Sequence, residues 1–144
     1  MSRWDAWLFT CNPKRYDVFT RVRRSGPLHE FEWSMSANWS HIGVGDDFAF
    51  YIGGCGVHLF GTVTGDPVRH RTDDNLWLNS ADRDTDKWFA PLRTTGSIWL
   101  HPITIDDLKR QPALNRITGQ LSRPSKSPMG LTRAELNTIR SLCR

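Results

Sequence analysis

The side chains of this 144-residue sequence that could do chemistry fall into three sets. The first is aromatic. The chain holds seven Trp, and Trp33 stands before Ile42–Gly43–Val44–Gly45–Asp46, which leads into a predicted strand. An indole just ahead of a strand, in a basic chain, points to a flat platform rather than to core filler. Every nucleobase has a π-face, so an exposed ring can hold one by stacking, at about 1–3 kcal/mol per base. The second set is cationic and scattered: Arg21, Arg23 and Arg24, then Arg69 and Arg71, then Arg123, Lys126 and Arg133. A net charge of +4 favours a polyanionic partner only mildly. On charge alone, an ordinary solvated surface is the slightly better account.

The third set imitates metal and nuclease sites. Asp82, Asp84 and Asp86 open like a calcium loop, but position six is Lys87 and position twelve is Arg93, where Gly and Glu are needed. A solvated acidic loop is the expectation. Asp107–Leu108–Lys109 has the carboxylate-x-lysine spacing of many nucleases, yet it falls on a predicted helix just after a Thr104–Asp107 cap, so Asp107 reads as helix-start electrostatics. The five histidines lack metal-ligand spacing. No G-x-S-x-G and no local Cys–His signature is present, and Gly53–Gly54–Cys55–Gly56 reads as a hairpin turn rather than an anion cradle. The expectation is a binder without metal or cofactor, not an enzyme.

These residues need a scaffold. Trp7 to Cys11 reads as a first strand buried on both faces. Asn12 then suits a helix N-cap with Pro13 at the first helical position, and Tyr16, Phe19 and Val22 give an inner stripe. Gly26–Pro27 ends that helix. Phe48 to Ile52 and Val57 to Thr64 form a predicted hairpin, residues 65–96 look polar and irregular, and Ser97 to Ile103 is the next predicted strand. A short helix is expected over 106–110. Thr132 and Glu135 make a capping box, with Leu131 and Leu136 as its staple and Leu136, Ile139 and Cys143 as a buried stripe. The sum is one α+β domain over residues 1–144, built on a small curved sheet or partly open barrel.

Composition bounds the setting. No apolar run approaches the roughly 20 residues that span a bilayer, and the start lacks a leader pattern, so an intracellular (cytoplasmic) protein is expected. Cys11, Cys55 and Cys143 read as reduced thiols.

The order of motifs resembles one family. Trp7–Leu8–Phe9–Thr10–Cys11–Asn12–Pro13–Lys14 with Tyr16–Asp17–Val18 is similar to the opening of EVE domains. Trp33–x–Met35, Ile42–x–x–Gly45–Asp46, Phe50–Tyr51 and the Gly-rich turn continue the match. So do Phe60–Gly61–Thr62–Val63–x–x–x–Pro67, Trp77, Pro112–x–Leu114 and Gly130–Leu131–Thr132–x–x–Glu135. Each motif is weak alone; in order, over nearly the whole chain, they are fairly specific. Two departures stand out: Ser125–Lys126–Ser127–Pro128–Met129–Gly130 replaces a Gln–Gly–Thr-type segment, and Met35 stands where Val is commoner.

The resemblance implies a PUA-like curved mixed sheet flanked by helices, related to the YTH and SRA readers of methylated bases, with a pocket for one extruded base. It implies a free-standing, monomeric reader of modified double-stranded DNA, 5-methylcytosine foremost. An RNA-binding module is the first alternative, and a minimal nuclease using Asp107 and Lys109 is a remote one. By the same resemblance Trp33, Trp77 and Trp88 form the cage, and Asn12 and Ser34 meet the base edge. Asn12 serves equally well as a helix cap only, Trp88 could instead close the core, and Trp39 could replace either ring. Trp4, Trp7 and Trp99 read as structural. Lys14, Arg21, Arg24, Arg69 and Arg71 are the phosphate candidates.

Overall fold

The computed structural model describes residues 4–72, 75–122 and 126–143. β1 (Ala6–Cys11) runs parallel to β3 (Asp47–Ile52), with Phe9 opposite Phe50. β4 (Gly56–Val63) returns antiparallel beside β3. β2 (Glu30–Met35) pairs antiparallel with β6 (Asp86–Ser97), placing Trp33 opposite Ala90. With β7 (Met129–Leu131) the strand order is β2-β6-β4-β3-β1-β7, and β5 (Val68–Arg71) pairs with the start of β6. The result is a mixed, curled, open half-barrel in an α+β domain. Four short helices flank it: α1 (Val18–Ser25), α2 (Ile105–Lys109), α3 (Asn115–Leu121) and α4 (Arg133–Ser141).

Period-two alternation puts two cores on the two faces of the sheet. Trp7, Phe9, Phe48 and Phe50 point to one face, with Phe31 and Trp33, under α1. Leu8, Ala49 and Tyr51 point to the other, against Leu108 of α2, Ile117 of α3 and Leu136 and Ile139 of α4. β1 is therefore buried on both faces, as its sequence suggests. The Thr132–Glu135 capping box is present, and so is the Thr104–Asp107 box on α2.

Several expectations are corrected. The first helix starts at Val18, and its N-cap is Asp17, whose carboxylate accepts the Thr20 N–H at 3.2 Å. Asn12 instead closes a tight turn after β1: its Oδ1 accepts the Lys14 N–H at 3.0 Å, the local bond that Asn makes most readily. Trp33 does not stand ahead of a strand; it lies inside β2. The stretch 65–96 holds β5 and most of β6, and Ser97 ends β6 rather than opening a strand. Within 98–103 the Ile98 N–H donates to the His58 carbonyl of β4 at 2.8 Å and Ile103 forms an isolated bridge to Val57. Cys143 is exposed, outside the buried stripe of α4.

Gly61 sits where the β4–β6 register shifts. A Cβ there would lie 2.0 Å from the Arg93 carbonyl oxygen and 2.7 Å from the Phe48 ring, so Gly61→Ala must displace backbone. Overpacking of this kind costs about 1–3 kcal/mol. Gly119, inside α3, has open space at the same position, and Ala there should add about 0.5–1 kcal/mol. Urea midpoints should therefore fall for Gly61→Ala and rise for Gly119→Ala; a neutral Gly61→Ala would refute the packing described for β4.

Candidate functional site

The two ends of the curled sheet approach each other without pairing as strands. Past β2, the Ser36 N–H donates to the Ser127 carbonyl at 2.7 Å, and the Ser127 N–H donates to Ser36 Oγ at 3.0 Å. Ser127 Oγ in turn accepts the Thr10 N–H of β1 at 3.0 Å. Beside this bridge the seam between β1 and β2 stays open as a cavity of about 660 Å³. Its size falls within the roughly 300–1,000 Å³ of ordinary ligand sites.

One wall is aromatic. Tyr16, brought back by the Asn12 turn, meets Trp33 edge to face at 5.1 Å and Trp77 at 4.9 Å. Trp33 is only 5 % exposed, and its indole N–H donates to the Thr10 carbonyl at 3.2 Å, across the open seam. Trp33 is thus a buried wall, not the open platform its sequence context suggests. The reason is its place in β2, where every second side chain faces the core.

The rim is cationic and is organised by a buried acid. Asp82 accepts Arg15 through Nη2 at 2.6 Å and Nε at 3.1 Å, and Lys87 at 3.1 Å. Its side chain is 6 % exposed. Arg15 and Lys87 both line the cavity, and the Lys87 ammonium sits 5.1 Å from the Trp77 ring centre. Thr72 donates to the Asp82 carbonyl at 2.7 Å, and Arg83 donates to the Trp77 carbonyl at 2.7 Å. Asp82 therefore ties this long excursion to the turn at 12–16, and the reading of it as a solvated loop acid is corrected. Asp84 and Asp86 are exposed and pair with Arg71. Among the described residues no group of three or more His, Cys, Asp or Glu could hold a metal ion.

The cavity gathers Trp33, Trp77, Asn12, Ser34 and Lys14 of the expected site residues. Trp88 is elsewhere, stacked on Trp39 at 5.9 Å and 7°. Arg21 stands one side chain away, donating to the Tyr16 hydroxyl at 3.3 Å, and Arg24 is exposed near the end of α1. Arg69 and Arg71 lie on β5, outside the cavity. Ser125 and Arg123 lie outside the described residues. Tyr16, Tyr51, Arg15, Lys87 and Ser127 are lining residues that the sequence did not mark as part of the site. Arg15, next to Lys14, carried the one local hint. Cys11 also lines the cavity; burial, with Cys55 nearby, pushes its thiol up to about 12, so it is a protonated, unreactive wall. Asp107 is occupied by its cap, accepting the Thr104 N–H at 3.0 Å.

No protein-family model matches the chain, and no curated protein matches it. Solved structures do. Protein PSPTO5229 of Pseudomonas syringae superposes with a TM-score of 0.65 at 22 % identity, over 95 % of this chain and 98 % of that one. Atu2648 of Agrobacterium tumefaciens gives 0.61 at 20 %, over 95 % and 91 %. A hypothetical protein of Leishmania major gives 0.61 at 14 %, over 96 % and 94 %. The likeness is one of fold, a curled half-barrel compatible with the PUA-like class. Among the described residues no helix is long and apolar enough to cross a membrane.

The Arg15 hydrogen bond, with help from Lys87, holds the Asp82 carboxyl below its ordinary range near 3.9. A carboxyl depressed on folding stabilises the native state fully above its unfolded value, and that support fades as pH falls through the folded value. Asp82→Asn should cost about 1–2 kcal/mol at pH 7, because half-exposed Arg15 and part-buried Lys87 both lose the charge of the buried carboxylate they bond. The gap between variant and wild type should shrink below about pH 4. Urea midpoints at pH 7 and pH 3 check both; a pH-independent gap would show that Asp82 is not the titrating clamp.

Proposed function

We propose that this chain is an EVE-type, PUA-like reader that binds DNA carrying a modified base, 5-methylcytosine foremost, by drawing one extruded base into the β1–β2 cavity. The observation that carries the reading is that cavity: an aromatic wall of Trp33, Tyr16 and Trp77 below a rim of Lys14, Arg15 and Lys87. The motif order of the sequence and the half-barrel fold support it.

The energetics are those of a modest discriminator. Extruding a base from a duplex costs a few kcal/mol. Phosphate contacts and base–ring contacts of about 1–3 kcal/mol offset this. One added methyl contributes only about 0.8 kcal/mol on burial, so the preference for a methylated duplex should not exceed about tenfold. Base identity comes from polar groups, because an unmatched buried donor or acceptor costs more than a lost methyl contact. Ser34 and the amide Nδ2 of Asn12, both on the cavity lining, supply them. Lys14 is exposed at the mouth and meets the backbone, with Arg21 and Arg24 seven and ten positions further along, on α1. Arg71 is a poorer anchor, since Asp84 and Asp86 already hold it. The chain acts as a binder rather than an enzyme, as a monomer.

Titration of matched methylated and unmodified duplexes, and of RNA of the same sequence, tests this. Wild type should favour the methylated duplex several-fold. Trp33→Phe keeps a ring in the core but removes the N–H to Thr10, and should erase most of that preference. Lys14→Ala should weaken every sequence alike and flatten the slope of log K against log salt by about 0.9. Equal affinity across all nucleic acids sinks the modified-base reading; tighter binding to RNA replaces it with the RNA-module reading.

A further inference from the structure

A second concavity, of about 740 Å³, opens on the other side of the Ser36–Ser127 bridge. Ser36 lines both hollows, with Ser127 on the first and Lys126 on the second, so the two adjoin at that hydrogen-bonded bridge. Trp39 stands at the edge of this groove, 41 % exposed. Its ring is backed by Trp88, stacked nearly parallel to it at 5.9 Å, so its plane is fixed before anything binds. The loop that carries it is held too: Asn38, at φ 62°, donates from Nδ2 to the Pro128 carbonyl at 2.8 Å. The opposite wall is rigid. A Cβ on Gly130 would come within 2.2 Å of the Trp4 ring, and Arg116 lies 4.6 Å from that ring while Glu135 grips its guanidinium at 2.5 Å.

Three chemistries therefore share one groove. Trp39 offers a braced aromatic face, Gln120 an exposed amide, and Lys126 an exposed cation. Among the described residues Lys126 has no carboxylate within ion-pair distance, whereas Arg116 is spent on Glu135. A face, an amide and an unneutralised cation are what a nucleotide asks for: stacking, a base edge and a phosphate. An apolar protein partner would leave Lys126 and Gln120 desolvated without return.

We infer that this groove holds the nucleotide that adjoins the extruded base on the same strand. Trp39 stacks on its base, Gln120 reads its edge and Lys126 takes the intervening phosphate as the strand crosses the Ser36–Ser127 bridge. The inference rests on the base-binding reading of the first cavity, and it adds that sequence context is read on one side only.

The test separates the two. A ¹⁵N-labelled chain is titrated with 5-methyldeoxycytidine and then with single-stranded dinucleotides carrying that base 5′ or 3′ of a neighbour. The nucleoside should move the Trp33 and Trp77 indole signals alone. One of the two dinucleotides should also move the Trp39 indole and the Gln120 side-chain amide. Trp39→Ala and Lys126→Ala should each weaken that dinucleotide at least threefold while leaving the nucleoside affinity unchanged. If both dinucleotides move Trp33 and Trp77 only, the groove claim is overturned and the base pocket stands. If neither ligand moves any of these signals, both claims fall. If the Trp39 signal follows protein dilution instead of nucleotide, the face is a contact between copies of the chain, and the inference is wrong.

Discussion

The whole arrangement depends on a barrel that stops short of closing. Strand pairing satisfies backbone groups cheaply, so a curled sheet whose ends meet would ordinarily zip shut. Here β7 covers only Ala6 to Leu8 of β1. Past Leu8, β1 has no strand on this edge, and Thr10 faces β2 across a gap. Single hydrogen bonds cross it in place of a ladder: Thr10 N–H to Ser127 Oγ on one side, and Trp33 N–H to the Thr10 carbonyl on the other. Thr10, paired with β3 on its other side, thus has both backbone groups on the open edge satisfied without a second strand there. That removes the drive to close and leaves room for the cavity.

What could be read in the sequence was local. β1, the hairpin at 48–63 and the capping boxes are set by residues within one turn or one alternation of each other, and they stand as read. The failures have a common cause. Asn12–Pro13 carries every mark of a helix start, yet Asp17 competes with a better-placed carboxylate and wins the cap. β6 is polar and contains Pro91 and Gly96, which argue against a strand. It forms because β2, β4 and β5 all pair with it, a non-local fact. Trp33 alternates correctly within Glu30–Met35, but its burial depends on Tyr16 and Phe50 converging from other elements. Half of the expected site residues meet in one cavity because Trp33 and Ser34 sit on β2, Asn12 and Lys14 on the turn that leaves β1, and Trp77 is bridged to Tyr16 just beyond that turn. Trp88 and the β5 arginines do not, because β6 carries them to the flank.

Asp82 was the least legible residue, since its partner Arg15 lies 67 positions away. Its role at the rim is a matter of charge. Two cations without an acid would repel each other and reach into solvent at every angle. One buried carboxylate between them fixes both side chains at the mouth while leaving the rim net positive. The loss of freedom that a bound polyanion would otherwise impose on Lys87 and Arg15 is largely suffered on folding. The same clamp keeps the strand of chain bearing Trp77 against Tyr16, so the wall and the rim are one unit rather than two.

The wall itself has a property that decides how recognition is divided. The indole N–H of Trp33 is committed to Thr10, and the Tyr16 hydroxyl accepts from Arg21. Their polar handles are used inside the protein, so what these two rings turn toward the cavity is carbon. Carbon cannot tell one hydrogen-bonding edge from another, but it favours a methyl group over the water that would sit beside an unmodified base. Edge identity must then come from the groups that remain on the lining, Ser34, Asn12 and the backbone around them. In the proposed reader, such a site would sense modification with its interior and base type with its lip. On that proposal, a substitution in the core would blunt sensitivity to the modification without touching affinity for the strand.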